Sequence, residues 1–380
     1  MNSPNFLRLS SLATFVLLFL FLPGSSFHLL THGHGRSRKF PLVYGWEKGD
    51  GQRRRVSQTV LRDAPPGGST EAVISLPTVA EGNIEQESDQ GGEKGIPVPL
   101  PWQHPPMSSD SVKTYSPVGS WLYTEVVSGL PGIQREGVEK DLALQRNEKP
   151  AACMANACFR STHFRKIRMT YFDGGEGGMQ VFNALFYPDP SLFVPFPDRN
   201  SSGGWAPPLL GIDLIKLSSN RYLEVIDVQP LSESAEYRRH VVEKQFTNLK
   251  RKFEEKFGGK PSKRFYEGAE FFSDQMLYGR FEDDSHHQDH LIPAVQDYAR
   301  KYVEFVTSLP SAGSSTSFPA DREGGGLETV REALRLHTAH DNYSARRDPA
   351  KRVFARFFGD EWSERLVRKF LFDRAVFEDR

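Results

Sequence analysis

Asp213 interrupts the apolar run Leu209-Leu210-Gly211-Ile212-Asp213-Leu214-Ile215, and on a strand it shares a face with Leu209, Gly211 and Ile215. An ionised carboxylate in such surroundings is costly unless paired, so it either finds a partner or keeps its proton at a raised pKa. A protonated carboxyl in an apolar pocket is a proton donor; a structural buried hydrogen bond is the other outcome, and the pattern leaves both open. Asn183 breaks Met179-Gln180-Val181-Phe182-Asn183-Ala184-Leu185 in the same way and offers a neutral donor and acceptor. Asp348 precedes Pro349, the arrangement of a helix N-cap followed by proline at the first helical position.

Other clusters carry less. Asp173-Gly174-Gly175-Glu176-Gly177-Gly178 lacks a Lys-Ser/Thr ending and leads into a strand, so it reads as a hairpin turn and not as a phosphate cradle. Asp283, Asp284, His286, His287, Asp289 and His290 offer metal-ligand chemistry without a defined pair on one helix face, and read as a solvated linker. His337 and His340 fit a partly exposed helical pair with no third ligand, so no metal site is expected. Cys153 and Cys158 are the only cysteines, too few for a four-thiolate cluster, and read as two reduced structural thiols.

The elements that must position these residues follow from periodicity. Phe164–Phe172 and Met179–Tyr187 alternate about the glycine-rich turn and predict one hairpin. Leu209–Lys216 and Tyr222–Val228 predict a second, and Gln275–Phe281 a further strand. Helices are predicted where Val242, Phe246, Leu249, Phe253 and Phe257 recur, where Val295, Tyr298, Tyr302, Val306 and Leu309 recur, over Leu327–His340, and over Trp362–Phe372. Short connections between strands, then helices, argue an α+β chain: a three-layer α/β/α sandwich with a central antiparallel sheet flanked by helices. Pro197–Pro208 and Pro310–Gly326 read as loops.

The formal charge of the 380 residues is zero at pH 7, which gives no support to nucleic-acid binding. Residues 1–26 read as a signal peptide, with Arg8 ahead of an apolar run from Leu12 to Leu22 that is too short to span a bilayer comfortably. Phe27–Trp46 has no Asp or Glu but carries Arg36, Arg38 and Lys39, as transit peptides do. With the polar stretch from Gln52 to about Val112, where no packed core is expected, residues 27–95 form a transit peptide and linker ahead of a domain at 96–380. The leader resembles the bipartite presequence of algae whose plastids came from a eukaryotic endosymbiont, and implies import through the ER into the plastid stroma. A secreted protein is the alternative, with Asn200-Ser201-Ser202 and Asn342-Tyr343-Ser344 as glycosylation acceptors.

Phe164-Arg165-Lys166-Ile167-Arg168, MQVFNALFYPDP from Met179, LLGIDLI from Leu209, YLEVIDVQPL from Tyr222, Phe271-Phe272-Ser273 with Arg280, and Tyr343–Ala350 occur in the order of the ferredoxin-dependent bilin reductases, which the chain resembles over about Phe164–Asp373. The resemblance implies that Asp213 is the central proton donor, Asp348 the second acid and Asn183 an orienting group. It also implies that Arg280 and Tyr343 contact substrate. Arg168-Met169-Thr170, the Asn183 strand and Tyr343-Ser344-Ala345 are most similar to the branch forming 15,16-dihydrobiliverdin; the sister branch leading to phycoerythrobilin and a non-catalytic bilin carrier or lyase are the alternatives. The resemblance further implies a biliverdin or dihydrobiliverdin substrate, electrons from external reduced [2Fe–2S] ferredoxin and no bound cofactor. It implies a monomer free of membrane and nucleic acid after processing, with the next bilin reductase as a further partner. Arg238, Arg239, Lys244, Lys250, Arg251 and Lys252 are candidates for docking the acidic ferredoxin, although Glu254 and Glu255 interleave.

Overall fold

The computed structural model describes residues 99–107, 113–198, 203–218, 220–257, 270–282, 285–312, 325–348 and 350–377. The signal, transit and linker readings over 1–95, Asp283, Asp284 and Asn200-Ser201-Ser202 lie outside the described residues.

The strands are β1 (Gln134–Glu136), β2 (Leu144–Glu148), β3 (Ala151–Arg160), β4 (Phe164–Asp173), β5 (Gln180–Pro188), β6 (Val194–Pro195), β7 (Gly204–Trp205), β8 (Leu209–Ser218), β9 (Arg221–Gln229) and β10 (Leu277–Phe281). Among the described residues, eight of them form one antiparallel sheet in the order β1-β3-β4-β5-β8-β9-β10, with β2 also paired to β3. β6 and β7 make a separate ribbon inside a segment expected to be loop. The long helices are α1 (Ser116–Leu122), α2 (Lys244–Phe257), α3 (Ile292–Thr307), α4 (Gly325–Arg347), α5 (Ala350–Phe358) and α6 (Asp360–Arg365), the last continuing as a wider turn through Leu371.

Both sheet faces are covered, which is why β8 and β9 read as nearly continuous apolar runs. On one face Phe182, Phe186, Ile212 and Ile226 pack with Leu122 of α1, Phe246 of α2 and Tyr298 and Tyr302 of α3. The opposite face carries Met154, Phe172, Val181, Ile215 and Val225 beneath Val353 and Phe354 of α5 and Trp362 of α6. The expected three-layer α+β sandwich is thus the observed one.

Several local expectations need correcting. β3 went unpredicted, because AACMANACFR offers small residues without alternation. Its Cys153 and Cys158 are free thiols five positions apart, so they project to opposite faces of the strand. α4 runs seven residues beyond His340, carrying Tyr343 with it. His337 and His340 are 1% and 3% exposed, not a partly exposed pair. His286 departs from the expected solvated linker, buried with its ring stacked on Phe281, whereas Asp289 is exposed as expected. Among the described residues no cluster suited to a metal ion occurs.

The glycine-rich turn between β4 and β5 is a turn, with Gly175 and Gly177 at φ 82° and 61° and the Asp173 carboxylate accepting from Gly175 N–H at 2.9 Å. Trp102 corrects the view of the leading segment: it is 3% exposed, with its ring edge-on to Phe182 and no room for a side chain at Gly119 beside it. Replacing so large a core group leaves a cavity, so Trp102→Ala is expected to cost about 3–5 kcal/mol, read as a lower urea midpoint at unchanged slope. A cost below about 1 kcal/mol would show that this segment contributes nothing to the core.

Candidate active site

Register puts a polar row across the face opposite α1–α3. Asn156 of β3 pairs with Thr170 of β4, Thr170 with Asn183 of β5, and Asn183 with Asp213 of β8. Thr170 Oγ1 donates to Asn156 Oδ1 at 2.6 Å, and Asn156 Nδ2 donates to the Leu142 carbonyl at 2.6 Å, which closes that end of the row. At the other end Asn183 Nδ2 donates to Asp213 Oδ1 at 3.3 Å, and Asn183 Oδ1 accepts from Arg168 Nη1. The guanidinium thus fixes which way the amide points, and the amide presents its N–H to Asp213.

Above Thr170, Asn183 and Asp213 lies an open cleft, roofed by the C-terminal part of α4, by Asp348 and the start of α5, and by Phe271, Phe272, Leu371 and Phe372. The mainly apolar lining, with polar groups converging from the sheet and from α4, fits a flat, conjugated ligand. Asp213 and Asp348, from opposite layers, line the same cleft. Asp348 caps α5 by accepting from Ala350 N–H at 2.7 Å, so the cap reading holds and leaves its second oxygen for other work. Tyr343 also lines the cleft, 8% exposed, with the Arg347 guanidinium 4.0 Å over its ring and Phe271 edge-on at 5.2 Å.

Arg280 does not join them. It is exposed on edge strand β10, its guanidinium 5.7 Å from the Tyr278 ring, and it is absent from the cleft lining. Conversely, Arg168, Gln229 and His340 line the cleft and were not singled out as site residues. His340 Nε2 lies 3.0 Å from Gln229 Oε1 and its Nδ1 3.3 Å from Asp341 Oδ1. Fully buried Asp341 also accepts from Tyr187 Oη at 2.8 Å and from Arg374 N–H at 3.1 Å. Behind them His337 accepts from Arg165 Nε at 3.0 Å, and burial together with that cation holds its pKa well below the usual range. The only sequence signal for this network was a pair of histidines on one helix face.

Burial pushes the Asp213 carboxyl up to about 7; nearby Asp348 adds to the rise, while the Asn183 hydrogen bond and Arg168 oppose it. Asp348 keeps partial exposure, and burial raises it to about 6 against the Ala350 N–H and Arg168. Asp227 is also raised by burial to about 7, but Ser273 covers it, with Oγ at 2.5 Å and N–H at 3.2 Å. Its task is to hold the segment bearing Phe271 and Phe272 against β9.

Both cleft acids have folded pKa values above the ordinary 3.8, so their contribution to stability is full below about pH 4 and is lost as pH rises through 6 and 7. Asp213→Asn is therefore expected to gain stability relative to the native protein as pH rises from about 4 to about 8, measured by urea unfolding at each pH. A pH-independent difference would contradict a raised Asp213.

The family pattern described as ferredoxin-dependent bilin reductase matches residues 123–373. The chain is 29% identical over 239 residues to 15,16-dihydrobiliverdin:ferredoxin oxidoreductase of Gloeobacter violaceus, covering 62% of this chain and 85% of that protein. To the protein of the same name from Parasynechococcus marenigrum it is 31% identical over 251 residues, 63% and 93% of the two chains. The crystal structure of phytochromobilin synthase from tomato in complex with biliverdin matches with a TM-score of 0.55 at 17% identity, over 68% of this chain and 83% of that one; at this identity the likeness shows the fold alone. With the matched segment taking in both sheet and roof of the cleft, the chain belongs to the ferredoxin-dependent bilin reductases and is an oxidoreductase.

Proposed function

We propose that this enzyme reduces biliverdin IXα to 15,16-dihydrobiliverdin, with electrons from ferredoxin and protons from Asp213 and Asp348. The observation that carries this reading is the convergence of two acids with raised pKa values, one from the sheet and one from the helical layer, on a single apolar cleft. A carrier has no need of two such acids. Asn183 and Thr170 beside Asp213, and the names of the relatives, support the branch chosen.

The reaction adds two electrons and two protons across one carbon–carbon double bond and oxidises two ferredoxins. The first electron makes the tetrapyrrole a radical anion, and neutral Asp213 gives it a proton. The second electron is followed by a proton from Asp348, and both carboxylates regain protons from solvent. The protein places the substrate, raises the pKa of both acids by burying them, and excludes bulk water from the reacting bond. Electrons come from a plant-type [2Fe–2S] ferredoxin and the chain holds no cofactor of its own in this reading.

The docking surface for ferredoxin is better sought at the cleft than on α2. That helix packs on the opposite sheet face, its Lys252 is engaged by Asp297 at 2.5 Å and its Lys250 by the Met276 carbonyl, and Arg238 in the turn leading into it is engaged by Glu233. Exposed Arg346 and Arg352 sit at the α4–α5 junction beside Asp348, where an acidic partner would approach the bound pigment. The leader reading extends to place: the enzyme works in the plastid stroma, which protease-protected import of the full chain into isolated plastids would test.

Asp213→Asn should bind biliverdin yet lose turnover by about 10²–10⁴-fold in an anaerobic ferredoxin-driven assay. Unchanged turnover would remove Asp213 from the chemistry. The native rate should fall as pH rises through about 7, the value to which Asp213 is pushed. Chromatography of the product should give dihydrobiliverdin; phycoerythrobilin formed from added dihydrobiliverdin, with biliverdin left unreacted, would assign the sister reaction instead. Arg352→Glu should raise the KM for ferredoxin several-fold at low salt and leave bilin affinity alone; an unaltered KM would move docking elsewhere.

A further inference from the structure

Arg168 stands out among the cleft residues because its charge lacks a matching ion. It is 4% exposed, on the same face of β4 as Thr170, and lines the cleft floor. Among the described residues, its only hydrogen bond runs to the neutral amide of Asn183, its Nε–H has no partner, and it forms no ion pair. The ring of Phe372 lies 5.5 Å from the guanidinium carbon. Neither acid of the cleft, Asp213 or Asp348, forms an ion pair with it; Asn183 stands between the guanidinium and Asp213. A desolvated cation without a counter-ion is costly and persists where an anion arrives to meet it.

We propose that Arg168 is a further catalytic residue: its guanidinium stabilises the negative charge that each electron brings to the bound tetrapyrrole, and then the carboxylate left when Asp213 gives up its proton. The inference rests on the proposed sequence of electron and proton transfers. An electron from reduced ferredoxin converts the neutral pigment to a radical anion, and in a low-dielectric cleft a fixed cation lowers the energy of that anion far more than water-exposed charge would. Proton transfer from Asp213 then moves the negative charge onto its carboxylate. Arg168 meets it there through Asn183, which accepts from the guanidinium and donates to Asp213 Oδ1. One cation thus follows the charge through the whole step without moving, and no further oxidant or reductant is needed.

The test uses biliverdin as probe, with absorbance titration for affinity, anaerobic single turnover with reduced ferredoxin for rate, and spectroelectrochemical titration of the bound pigment for its one-electron potential. The native protein and Asp213→Asn serve as controls on the underlying reading; if native protein does not reduce the pigment, that reading fails before Arg168 is reached. Arg168→Gln should bind biliverdin within about threefold of native, as expected for a group acting after binding. Its saturating rate should fall about 10²-fold, the scale of losing one preorganised donor to a developing anion, and the potential of the bound pigment should shift to more negative values. Arg168→Lys, which keeps the charge, should restore much of both. Lost affinity with an unchanged saturating rate would instead make Arg168 an anchor for a substrate carboxylate and overturn the proposal. Should Arg168→Gln fail to fold, Arg168→Lys decides alone, since a folded lysine variant as slow as about 1% of native would contradict an electrostatic role.

Discussion

Everything about the cleft depends on placing a carboxyl group at the centre of a sheet that is covered on both sides. Asp213 has Asn183 beside it on one neighbouring strand and Val225 on the other, with apolar side chains on the remaining walls. An ionised group there would need a direct cationic partner, and the structure withholds one by inserting Asn183 between Asp213 and Arg168. The result is an acid whose pKa is raised to about 7, poised to give up its proton once negative charge appears next to it. An Asp213–Arg168 ion pair would hold the carboxylate ionised and leave it useless as a donor.

The surrounding elements follow from that placement. Antiparallel pairing of β4, β5 and β8 fixes the register that lines up Thr170, Asn183 and Asp213, and α1, α2 and α3 seal the far face so that water reaches the row from one side alone. The roof is tied down by charges distant from the chemistry. Lys166 of β4 donates to the Phe370 carbonyl at 2.6 Å and to Asp373 at 2.7 Å, and Asp341 collects hydrogen bonds from Tyr187 and Arg374. Asp348 serves two purposes, since an N-cap oxygen accepting from Ala350 aims the carboxyl while the same burial raises its pKa.

The parts of this site that were legible in the sequence are those in which one residue contradicts its neighbours. Asp213 and Asn183 are polar interruptions in apolar strands, and Asp348 before Pro349 is a helix start, so each announces itself locally. Arg168, Gln229 and His340 do not: Arg168 falls in the ordinary apolar–polar alternation of β4, Gln229 ends β9 and His340 sits on a helix of mixed polarity, so what distinguishes them is the register of strands and the path of α4 over them. Arg280 is the converse case: a motif position carried over from a family, which here stands on an exposed edge strand outside the cleft lining. The fold class was readable from periodicity, but β3 was not, since alanine and cysteine pack beneath helices without leaving an alternating trace. Trp102 was hidden by the proline- and glycine-rich composition around it.

The protonation state of Asp213 is the claim on which the account stands, and difference infrared spectroscopy of the native protein against Asp213→Asn reads it directly. At about pH 6 the native protein should show a protonated carboxyl C=O band that the variant lacks, and that band should titrate near the value of about 7 to which burial raises this group. A carboxylate signal from Asp213 throughout the range from about pH 5 to about pH 8 would contradict the account.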